Sequence, residues 1–569
     1  MKRHATVKWI GEAVGKCKWL VLLLTVNQAV LGGLGIALAL QTRRVVNRAV
    51  AGDRQGFFAS IVALAGVILL QIVLRAIHRW LNEYAAASVE NKFKGRLISA
   101  LLRADYGMVT QTHSGEWMNC LTSDTLVVAE GITQILPGSM GMLVRLCGAL
   151  GAIVWLEPRL GFILLPAGAV LLLITFLLRK ILKRLHKCIQ QKDGALRVFL
   201  QERLESLLIV RAFSKEQQVE EDVARRMSEH KEARMCRNRV SNLCNIGLAL
   251  VVNGLYLCGF GFCGYGILTG RMSYGDLMAI FQLIGQIQNP FANLSGYVPK
   301  FYAMIASAER LMEAEDYPQD TVEKMQLTQV QEFYRERFRG LALKNASFTY
   351  QELARGGQGA SRVVLRNVDL SIKKGEYVAF VGSSGSGKST VLKLLMCLYP
   401  LDGGQRLLYG ADGVQPLTGA WRNLFAYVPQ GNQLLSGNIR DIVSFGNESG
   451  DDEAVWKALR IACAEAFVLA LDKGLDTVLG ERGQGLSEGQ MQRLAIARAV
   501  YSQRPVLILD ESTSALDETT ACQLLRNLRQ MTDQTVILVT HRQSQTHMVD
   551  RVIRFSKDGI DRNGENEDE

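Results

Sequence analysis

The first half of the chain alternates long apolar runs with polar stretches. Six runs have about the 20 residues that a helix needs to cross a bilayer, and they are residues 19–41, 57–76, 131–156, 160–178, 246–268 and 277–303. The loops after the second and fourth runs, residues 78–130 and 179–245, are long and rich in Lys and Arg. Basic loops favour the cytoplasmic side. The pattern therefore predicts a bundle of six transmembrane helices with both termini in the cytoplasm.

Two basic segments flank the first run. Residues 1–18 mix Lys and Arg with apolar residues, a pattern typical of an amphipathic helix on the membrane surface. The first outer loop carries Arg43, Arg44, Arg48 and Arg54, against the trend that basic loops stay inside. The two longer basic loops outweigh this exception.

Polar residues inside the predicted membrane helices mark a candidate cargo cavity. Arg145 falls near the middle of the third run, where it should face a wet cavity or a partner; an ion pair or a hydrogen bond to neighbouring backbone is the alternative. Along the sixth run, polar side chains recur every three or four residues and share one helix face: Gln282, Gln286, Asn289, Asn293 and Tyr297. This stripe either lines a solvated cavity or holds helices together by hydrogen bonds.

The second half alternates short apolar strands with helices, and a Gly-rich loop organises it. Residues 377–380 predict a buried strand and residues 391–395 a helix, and the loop between them has the pattern G-x-x-x-x-G-K-[ST]. Its glycines let backbone N–H groups wrap around phosphate oxygens, and the helix N-terminus adds positive potential. Lys388 supplies a charge for the outer phosphates, and Ser389 a hydroxyl for Mg²⁺. The loop residues expected to contact the nucleotide are Gly382, Ser383, Gly385, Ser386, Gly387, Lys388, Ser389 and Thr390.

Two further strands end in residues suited to phosphoryl transfer. Residues 505–511 form an apolar run that ends in Asp510 and Glu511. Asp510 can hold Mg²⁺, and Glu511 can polarise an attacking water. Residues 536–541 form another strand pattern, and it ends in His541, which is placed to contact a γ-phosphate.

A second anion site is predicted at the start of another helix. Ser487 and Gly489 open the helical pattern of residues 491–500, and a Ser and a Gly at a helix N-terminus suit an anion. Such a site needs either another nucleotide or one nucleotide shared between two copies of the chain.

Together these motifs resemble those of ATP-binding cassette (ABC) transporters, and essentially the whole chain is similar to exporter-type half-transporters. The resemblance implies a membrane α-helical bundle of six helices in the domain-swapped exporter fold, joined to an α/β P-loop NTPase domain. It implies that residues 382–390 are the Walker A loop and Asp510 the Walker B acid, with Glu511 as catalytic base and His541 as switch histidine.

Other residues gain a role only from this resemblance. Gln430, in Val428-Pro429-Gln430, matches the Q-loop that senses Mg²⁺ and the membrane domain. Tyr350 matches the ring that stacks on adenine, and Asp517 ends the D-loop.

The signature motif of the family matches Ser487, Gly489 and Gln490, with Glu488 where glycine is usual. In the family this motif contacts the γ-phosphate held by the opposite subunit, which accounts for the second anion site. Because Ser487, Glu511 and His541 are all present, the resemblance favours a homodimer, with a related half-transporter as the alternative partner.

Composition agrees with a membrane protein. Of 569 residues, 48% are apolar, and the net charge of +11 is concentrated beside the apolar runs, where it suits a membrane surface. No signature of nucleic-acid binding accompanies this charge, so nucleic acid is not an expected partner. The eleven cysteines include no C-x-x-C pair, and we predict neither disulfides nor zinc.

The predicted organisation has four parts. Residues 1–316 are a transmembrane domain with an amino-terminal elbow helix and two long intracellular loops, 317–338 a linker, 339–560 an ABC nucleotide-binding domain, and 561–569 an acidic tail. The whole is expected to be a multi-pass protein of the bacterial cytoplasmic membrane, in contact with lipid, with its nucleotide-binding domain in the cytoplasm.

The predicted function is ATP-driven export of a small molecule, peptide or lipid by alternating access, with ATP and Mg²⁺ as cofactors. The enzyme class is an ATPase coupled to transmembrane movement of substances. An importer of the same fold, for example for a siderophore, and an ATP-gated or regulatory membrane ATPase are the alternatives. The transported substrate is left open.

Overall fold

The computed structural model describes residues 2–112, 114–320, 322–351, 361–431, 434, 436–445, 451–480, 485–531, 534–556 and 559–560. For residues 163–183, 288–296, 298–299 and a few others in the long helices, only the backbone is described. The chain forms two compact units, one of Met1–Ile98 with Met118–Glu313 and one of Ser99–Trp117 with Ala314–Glu569. A short internal segment is therefore part of the carboxy-terminal unit.

The first unit is helical throughout its described part. Its six long helices each contain one of the six apolar runs, which confirms the predicted helical membrane region. Its helices are α1 (Lys2–Val14), α2 (Lys18–Val50), most of α3 (Arg54–Arg103), α6 (Thr125–Leu156), α7 (Pro158–Glu205), α8 (Leu207–Ala212), α9 (Glu216–Leu268) and most of α10 (Tyr274–Glu315). The second unit takes α4 (Tyr106–Thr110) and the first four residues of α5 (Ser114–Asn119). Among the described residues, four stretches are long and apolar enough to cross a membrane, namely His4–Val50, Arg54–Arg103, Ser114–Leu156 and Ala249–Leu268.

Glycines allow α2 and α6 to approach closely. A Cβ placed on Gly32 of α2 would lie 3.1 Å from the carbonyl oxygen of Gly141 on α6. Small residues at such crossings are the usual means of packing membrane helices. Ala39, Ile153 and Leu283 are among the residues of a buried cluster to which α2, α6, α7, α9 and α10 contribute.

An ion pair accounts for part of the basic outer loop. Arg43, near the end of α2, donates to the Asp276 carboxylate in the first turn of α10, with 2.5 Å between Nε and Oδ1. Arg48 donates to the Gly56 carbonyl at 2.7 Å and to the Ser60 hydroxyl at 2.8 Å. These arginines therefore serve to join helices, and their positions carry little information about membrane orientation.

The second unit contains two main sheets. A four-stranded antiparallel sheet has the order β2-β1-β4-β5, and a six-stranded sheet, parallel except for β12, has the order β12-β11-β3-β10-β9-β6. The strands are β1 (Phe338–Gln351), β2 (Ser361–Lys373), β3 (Tyr377–Gly382), β4 (Gly403–Gly410), β5 (Gly413–Pro416), β6 (Phe425–Val428), β7 (Gly437–Asn438), β8 (Val478–Leu479), β9 (Val506–Asp510), β10 (Thr535–Val539), β11 (Arg551–Ser556) and β12 (Gly559–Ile560).

Helices accompany these sheets in an α/β arrangement, as predicted. They are α11 (Leu327–Glu336), α12 (Lys388–Leu395), α13 (Ile439–Ser444), α14 (Asp452–Ile461), α15 (Glu465–Leu469), α16 (Glu488–Tyr501), α17 (Glu518–Arg529) and α18 (Gln543–Thr546). Every residue of β9 and β10 is buried, as expected for central parallel strands. Because β3, β10, β9 and β6 are parallel neighbours, their carboxyl ends share one edge of the sheet.

The segment Ser99–Trp117 joins the second unit through backbone and aromatic contacts. Ala104 pairs with Gln319 in an antiparallel bridge, and the Asp320 N–H donates to the Arg103 carbonyl at 2.6 Å. The Tyr106 ring, in α4, lies edge-on to Tyr399 with 5.6 Å between centroids. Residues before the third apolar run and residues after the sixth therefore form one local structure.

Several predicted features lie outside the described residues. They are the acidic tail 561–569 and the side chains of Asn289 and Asn293. The boundaries placed at 316, 338 and 560 remain predictions.

Candidate nucleotide-binding site

The phosphate loop joins β3 to α12. Backbone φ angles are +152° at Gly382, +79° at Gly385 and +96° at Gly387, a region that residues with a Cβ avoid. A Cβ on Gly382 would also collide with the carbonyl oxygen of Phe555 on β11. Gly387 immediately precedes α12, so the loop leads directly into a helix N-terminus, where unpaired N–H groups attract an anion.

Two side chains of this loop are buried and polar. Lys388 is only 4% exposed, and its Nζ donates to the carbonyls of Gly382 at 2.8 Å and Ser383 at 2.9 Å. Burial lowers the pKa of Lys388 from its ordinary value. The Ser386 hydroxyl is buried and has no hydrogen-bond partner among the described residues. Both groups suit contact with phosphate oxygens, because an unpaired buried polar atom gains most from a ligand.

Asp510 connects the phosphate loop to the end of β9. Ser389 donates to Asp510 Oδ1 at 3.1 Å, and the Tyr427 hydroxyl donates to Oδ2 at 3.1 Å. Burial raises the pKa of Asp510. In many nucleotide sites the protein provides only a hydroxyl and one carboxylate as Mg²⁺ ligands. Phosphate oxygens and waters provide the other ligands of the octahedral ion. The residues present therefore fit Mg²⁺.

Three polar side chains meet where the strands end. Glu511 follows β9 with a φ of +49°, a rare conformation for a residue with a Cβ. Gln430, two residues after β6, donates from Nε2 to Glu511 Oε2 at 2.6 Å. His541, two residues after β10, lies with Nε2 3.3 Å from Glu511 Oε1. The sheet thus brings the three predicted catalytic residues into one hydrogen-bonded group.

The signature motif forms the amino-terminal cap of α16. The Ser487 N–H donates to Gln490 Oε1 at 2.8 Å, and the Gln490 N–H donates to Ser487 Oγ at 3.3 Å, which is a capping box. Gly489 lies against the D-loop, where a Cβ would be 2.8 Å from the Ala515 carbonyl oxygen. Glycine at 489 is therefore required by packing inside the same chain.

Two residues absent from the sequence-based site hold the D-loop, residues 514–517. Gln492 on α16 donates to the Ser514 hydroxyl at 3.2 Å and accepts from the Ala515 N–H at 3.1 Å. Arg542, next to the switch histidine, donates to the Leu516 carbonyl at 2.6 Å and to the Ser514 carbonyl at 2.8 Å. The D-loop is thereby linked to both the signature helix and the end of β10.

The last two nucleotide-binding candidates, Asp517 and Tyr350, lie in different parts of the domain. Asp517 caps α17, since its carboxylate accepts from the Thr520 N–H at 2.9 Å and from the Thr519 hydroxyl. Tyr350 lies beside the phosphate-loop helix, with its hydroxyl 3.4 Å from Thr390 Oγ1. Tyr399, which no sequence pattern identified, lies edge-on to the Tyr350 ring with 5.5 Å between centroids.

The predicted cargo residues lie in the first unit. Gln286 on α10 donates to the Gly35 carbonyl of α2 at 2.6 Å, and Gln282 donates to the Thr42 hydroxyl at 3.4 Å. These two residues therefore join α10 to α2, in line with the interhelical interpretation of the polar stripe. Tyr297 approaches Gly138 of α6, and the Arg145 stem packs on Gly32 of α2.

The site and the fold together define an ATPase cassette fused to a helical membrane region. Residues 21–291 match the family model described as ABC transporter transmembrane region, and residues 365–514 match the model described as ABC transporter.

Related proteins share the same organisation. The leukotoxin translocation ATP-binding protein LktB of Mannheimia glucosida is 27% identical over 508 residues, which cover 88% of this chain and 69% of the relative. ABC transporter B family member 1 of Dictyostelium discoideum is 28% identical over 514 residues, or 89% of this chain and 55% of the relative. A solved bacterial Atm1-family ABC exporter with ATP bound has a TM-score of 0.76 at 21% identity, covering 97% of this chain and 94% of that one.

The chain belongs to the ABC transporters and has the build of an exporter-type half-transporter, with one membrane region and one nucleotide-binding domain. It is a membrane-embedded, nucleotide-binding protein whose ATPase is coupled to transport. The predicted family, fold class and enzyme class are thus confirmed.

Proposed function

We propose that the protein is an ATP-driven exporter that works as a homodimer and moves a small molecule, peptide or lipid across the cytoplasmic membrane by alternating access. The observation that carries this proposal is the group formed by Glu511, Gln430 and His541 beside the phosphate loop. This group is suited to ATP hydrolysis, and it lies in a domain that follows the membrane helices in the same chain. The names of the relatives, a translocation protein and an exporter, support export over import.

The residues of the site have distinct roles in the proposed hydrolysis. Loop N–H groups and Lys388 hold the β- and γ-phosphates, while Ser389 and Asp510 would hold Mg²⁺, which supplies charge neutralisation when bound. Glu511 accepts a proton as a water oxygen attacks the γ-phosphorus and the bond to the bridging oxygen of ADP breaks. His541 and Gln430 hold the Glu511 carboxylate in position.

The second anion site is assigned to the partner copy. Ser487 and the N–H groups after it would meet the γ-phosphate bound by the opposite chain, so that ATP closes two nucleotide-binding domains on each other. Closure and hydrolysis then alternate the membrane helices between inward and outward forms. An importer and an ATP-gated or regulatory ATPase are the alternatives that the following experiment distinguishes from an exporter. A related half-transporter is the alternative partner.

The test uses the full chain in liposomes with ATP added outside, so that only outward-facing nucleotide-binding domains work. Export appears as ATP-dependent accumulation of a fluorescent probe inside the liposomes. The probes are dansyl-glutamate, dansylcadaverine and dansylamide. The Glu511→Gln variant should bind ATP as the wild type does but hydrolyse it at least about 100-fold more slowly and accumulate no probe. ATP-dependent loss of a preloaded probe would indicate an importer, and hydrolysis without movement of any probe a regulatory ATPase. Full ATPase activity in Glu511→Gln would refute the catalytic assignment.

A further inference from the structure

The six apolar runs contain three cationic side chains and no Asp or Glu. The cations are Arg75 in the second run, Arg145 in the third and Lys300 in the sixth. A charge inside a membrane is costly unless an opposite charge, a hydrogen-bond partner or a solvated pathway compensates it. Because the runs contain no acid, an ion pair within the membrane cannot compensate these three charges. No ion pair involves Arg75 or Arg145 in the part of the chain that the structure describes.

Arg145 lies in a polar cluster where three helices meet. Gly138, Gly141 and Arg145 share one face of α6 at spacings of three and four. The Arg145 Cγ lies 3.3 Å from the Cβ position of Gly32 on α2, so a glycine there lets the aliphatic stem pass. The Tyr297 hydroxyl of α10 lies against Gly138, and the Gln28 side chain of α2 lies against Gly141, on the same face of α6 as Arg145.

Hydrogen bonds place the neighbouring helices around these charges. Gln28 of α2 contacts His78 of α3, with 2.7 Å between the two Nε2 atoms, three residues beyond Arg75. On α10, Lys300 donates to Gln134 Oε1 of α6 at 3.1 Å. An amide oxygen satisfies one donor of Lys300 but leaves its positive charge in place. The cluster is therefore rich in donors and net positive.

We propose that Arg75, Arg145 and Lys300 form a cationic site that binds the acidic group of an amphiphilic anion, which is the class of cargo that this transporter moves. Arg75 and Lys300 lie near the ends of their runs on the predicted cytoplasmic side, and Arg145 lies near mid-membrane, so the charges lead inward from the cytoplasm. An anion would compensate the cost of placing these positive charges within the membrane region. In the proposed homodimer the charge is doubled. The inference rests on the proposed transport function.

The first test compares three probes with the same fluorophore and different charge. Liposomes of phosphatidylcholine should accumulate dansyl-glutamate at least about tenfold faster than dansylcadaverine or dansylamide, since one lost charge contact is worth about a factor of ten. Arg145→Gln and Arg75→Gln should each remove that preference, and Arg145→Lys should retain it. Arg44→Gln, which removes an exposed arginine just after the first run, is the matched control and should behave like the wild type. Faster uptake of the cation, or a preference unchanged in Arg145→Gln, would refute the site.

Added phosphatidylglycerol distinguishes a lipid headgroup from a free anion as the source of the acidic group. If it competes with dansyl-glutamate, an acidic lipid is a ligand of the same site. If it does not, the site takes a free anion.

A second measurement decides the question if no probe moves, and it is independent of transport. A single reporter thiol, Tyr297→Cys in a chain whose natural cysteines are changed to serine, is modified with an anionic and a cationic methanethiosulfonate. The measured quantity is the ratio of the anionic to the cationic reaction rate. This ratio should be about tenfold higher, or more, with Arg145 present than after the further change Arg145→Gln. Equal ratios with and without Arg145 would overturn the proposal while leaving ATP-driven transport untouched.

Discussion

At the residue scale, Glu511 depends on backbone geometry as much as on its carboxylate. Its φ of +49° turns the chain sharply at the end of β9, at a cost of order 1 kcal/mol for a residue with a Cβ. The turn directs the carboxylate to Gln430 and His541, which follow two other strands of the same sheet. The base is thereby oriented before any substrate contact is made.

Tyr377 offers a stability prediction in the adjoining strand. Its hydroxyl is buried without a hydrogen-bond partner among the described residues, and burial raises its pKa to about 12. Tyr377→Phe should raise the free energy of unfolding by about 1 kcal/mol at pH 7, because it removes an unsatisfied polar atom. Thermal unfolding in detergent measures this, and ATPase activity should not change.

The pH dependence of that difference has a defined sign. A group whose pKa is raised in the folded state stabilises the fold below its unfolded pKa and loses that contribution as pH rises through the folded value. The wild type should therefore lose stability relative to the Phe variant between about pH 10 and pH 12. A constant difference across this range would mean that the phenol stays solvated.

Gln492 gives a catalytic prediction at the same scale. Because its amide holds Ser514 and the Ala515 N–H, Gln492→Leu should release the D-loop and lower kcat about tenfold with little change in KM for ATP. Steady-state ATPase assays of the full chain provide the measurement. Gln523→Leu, on the exposed face of α17, is the control. If the two substitutions lowered kcat equally, Gln492 would have no specific role in positioning the D-loop.

Sequence reasoning located the strand-end residues and missed their supports for a physical reason. Asp510, Glu511 and His541 follow apolar runs, and motif plus strand pattern is a local signal. Tyr427 and Arg542 act through partners 83 and 26 residues away, and only the order of strands brings them there. No local pattern marks such residues.

At the element scale, β1 shows how partners extend a strand beyond its local signal. Residues 347–350 form a short strand pattern that ends in an aromatic residue, whereas β1 runs from Phe338 to Gln351. It lies between β2 and β4, with irregular register near Ala346 on the β2 side. Hydrogen bonding from both sides supports residues whose own propensity is weak.

Tyr399 links α4 to β1 and gives the prediction at this scale. Its ring contacts Tyr106 of α4 and the Phe348 and Tyr350 rings of β1, with centroids 5.4 to 5.6 Å away. Tyr399→Ala should raise KM for ATP severalfold and cost about 2 kcal/mol in stability, because the Tyr350 ring loses its support. Tyr399→Phe should keep both values near those of the wild type.

The control for Tyr399 is Tyr409→Ala on β4, a tyrosine of the same unit outside this aromatic group. It should leave KM for ATP unchanged. If Tyr399→Ala lowers thermal stability but not ATP affinity, the ring is a packing residue with no influence on the nucleotide.

At the scale of the whole molecule, shared sites predict complementation between inactive chains. Lys388→Ala disables the phosphate loop, and Ser487→Arg disables the signature motif. In a homodimer with sites built from both copies, a mixed dimer of the two variants collects both defects in one site and leaves the other intact. The mixed dimer is purified through a different tag on each chain. It should show about half of the wild-type ATPase activity, whereas each parent dimer should show almost none.

Absence of recovery in the mixed dimer would contradict sharing. If each chain carried a complete site, both chains of the mixed dimer would be defective and activity would stay at the parental level. Wild-type chains mixed in the same way with Lys388→Ala control for subunit exchange.

The pairing of Ala104 with Gln319 has a consequence for how such transporters can be recombined. The ATP-hydrolysing half is not contiguous in the gene, because residues 99–117 belong to its structure. A graft that begins at the linker would leave Tyr399 without its aromatic neighbour Tyr106 and the backbone of Asp320 without Arg103. A functional exchange of nucleotide-binding domains between transporters therefore has to transfer residues 99–117 together with the carboxy-terminal half.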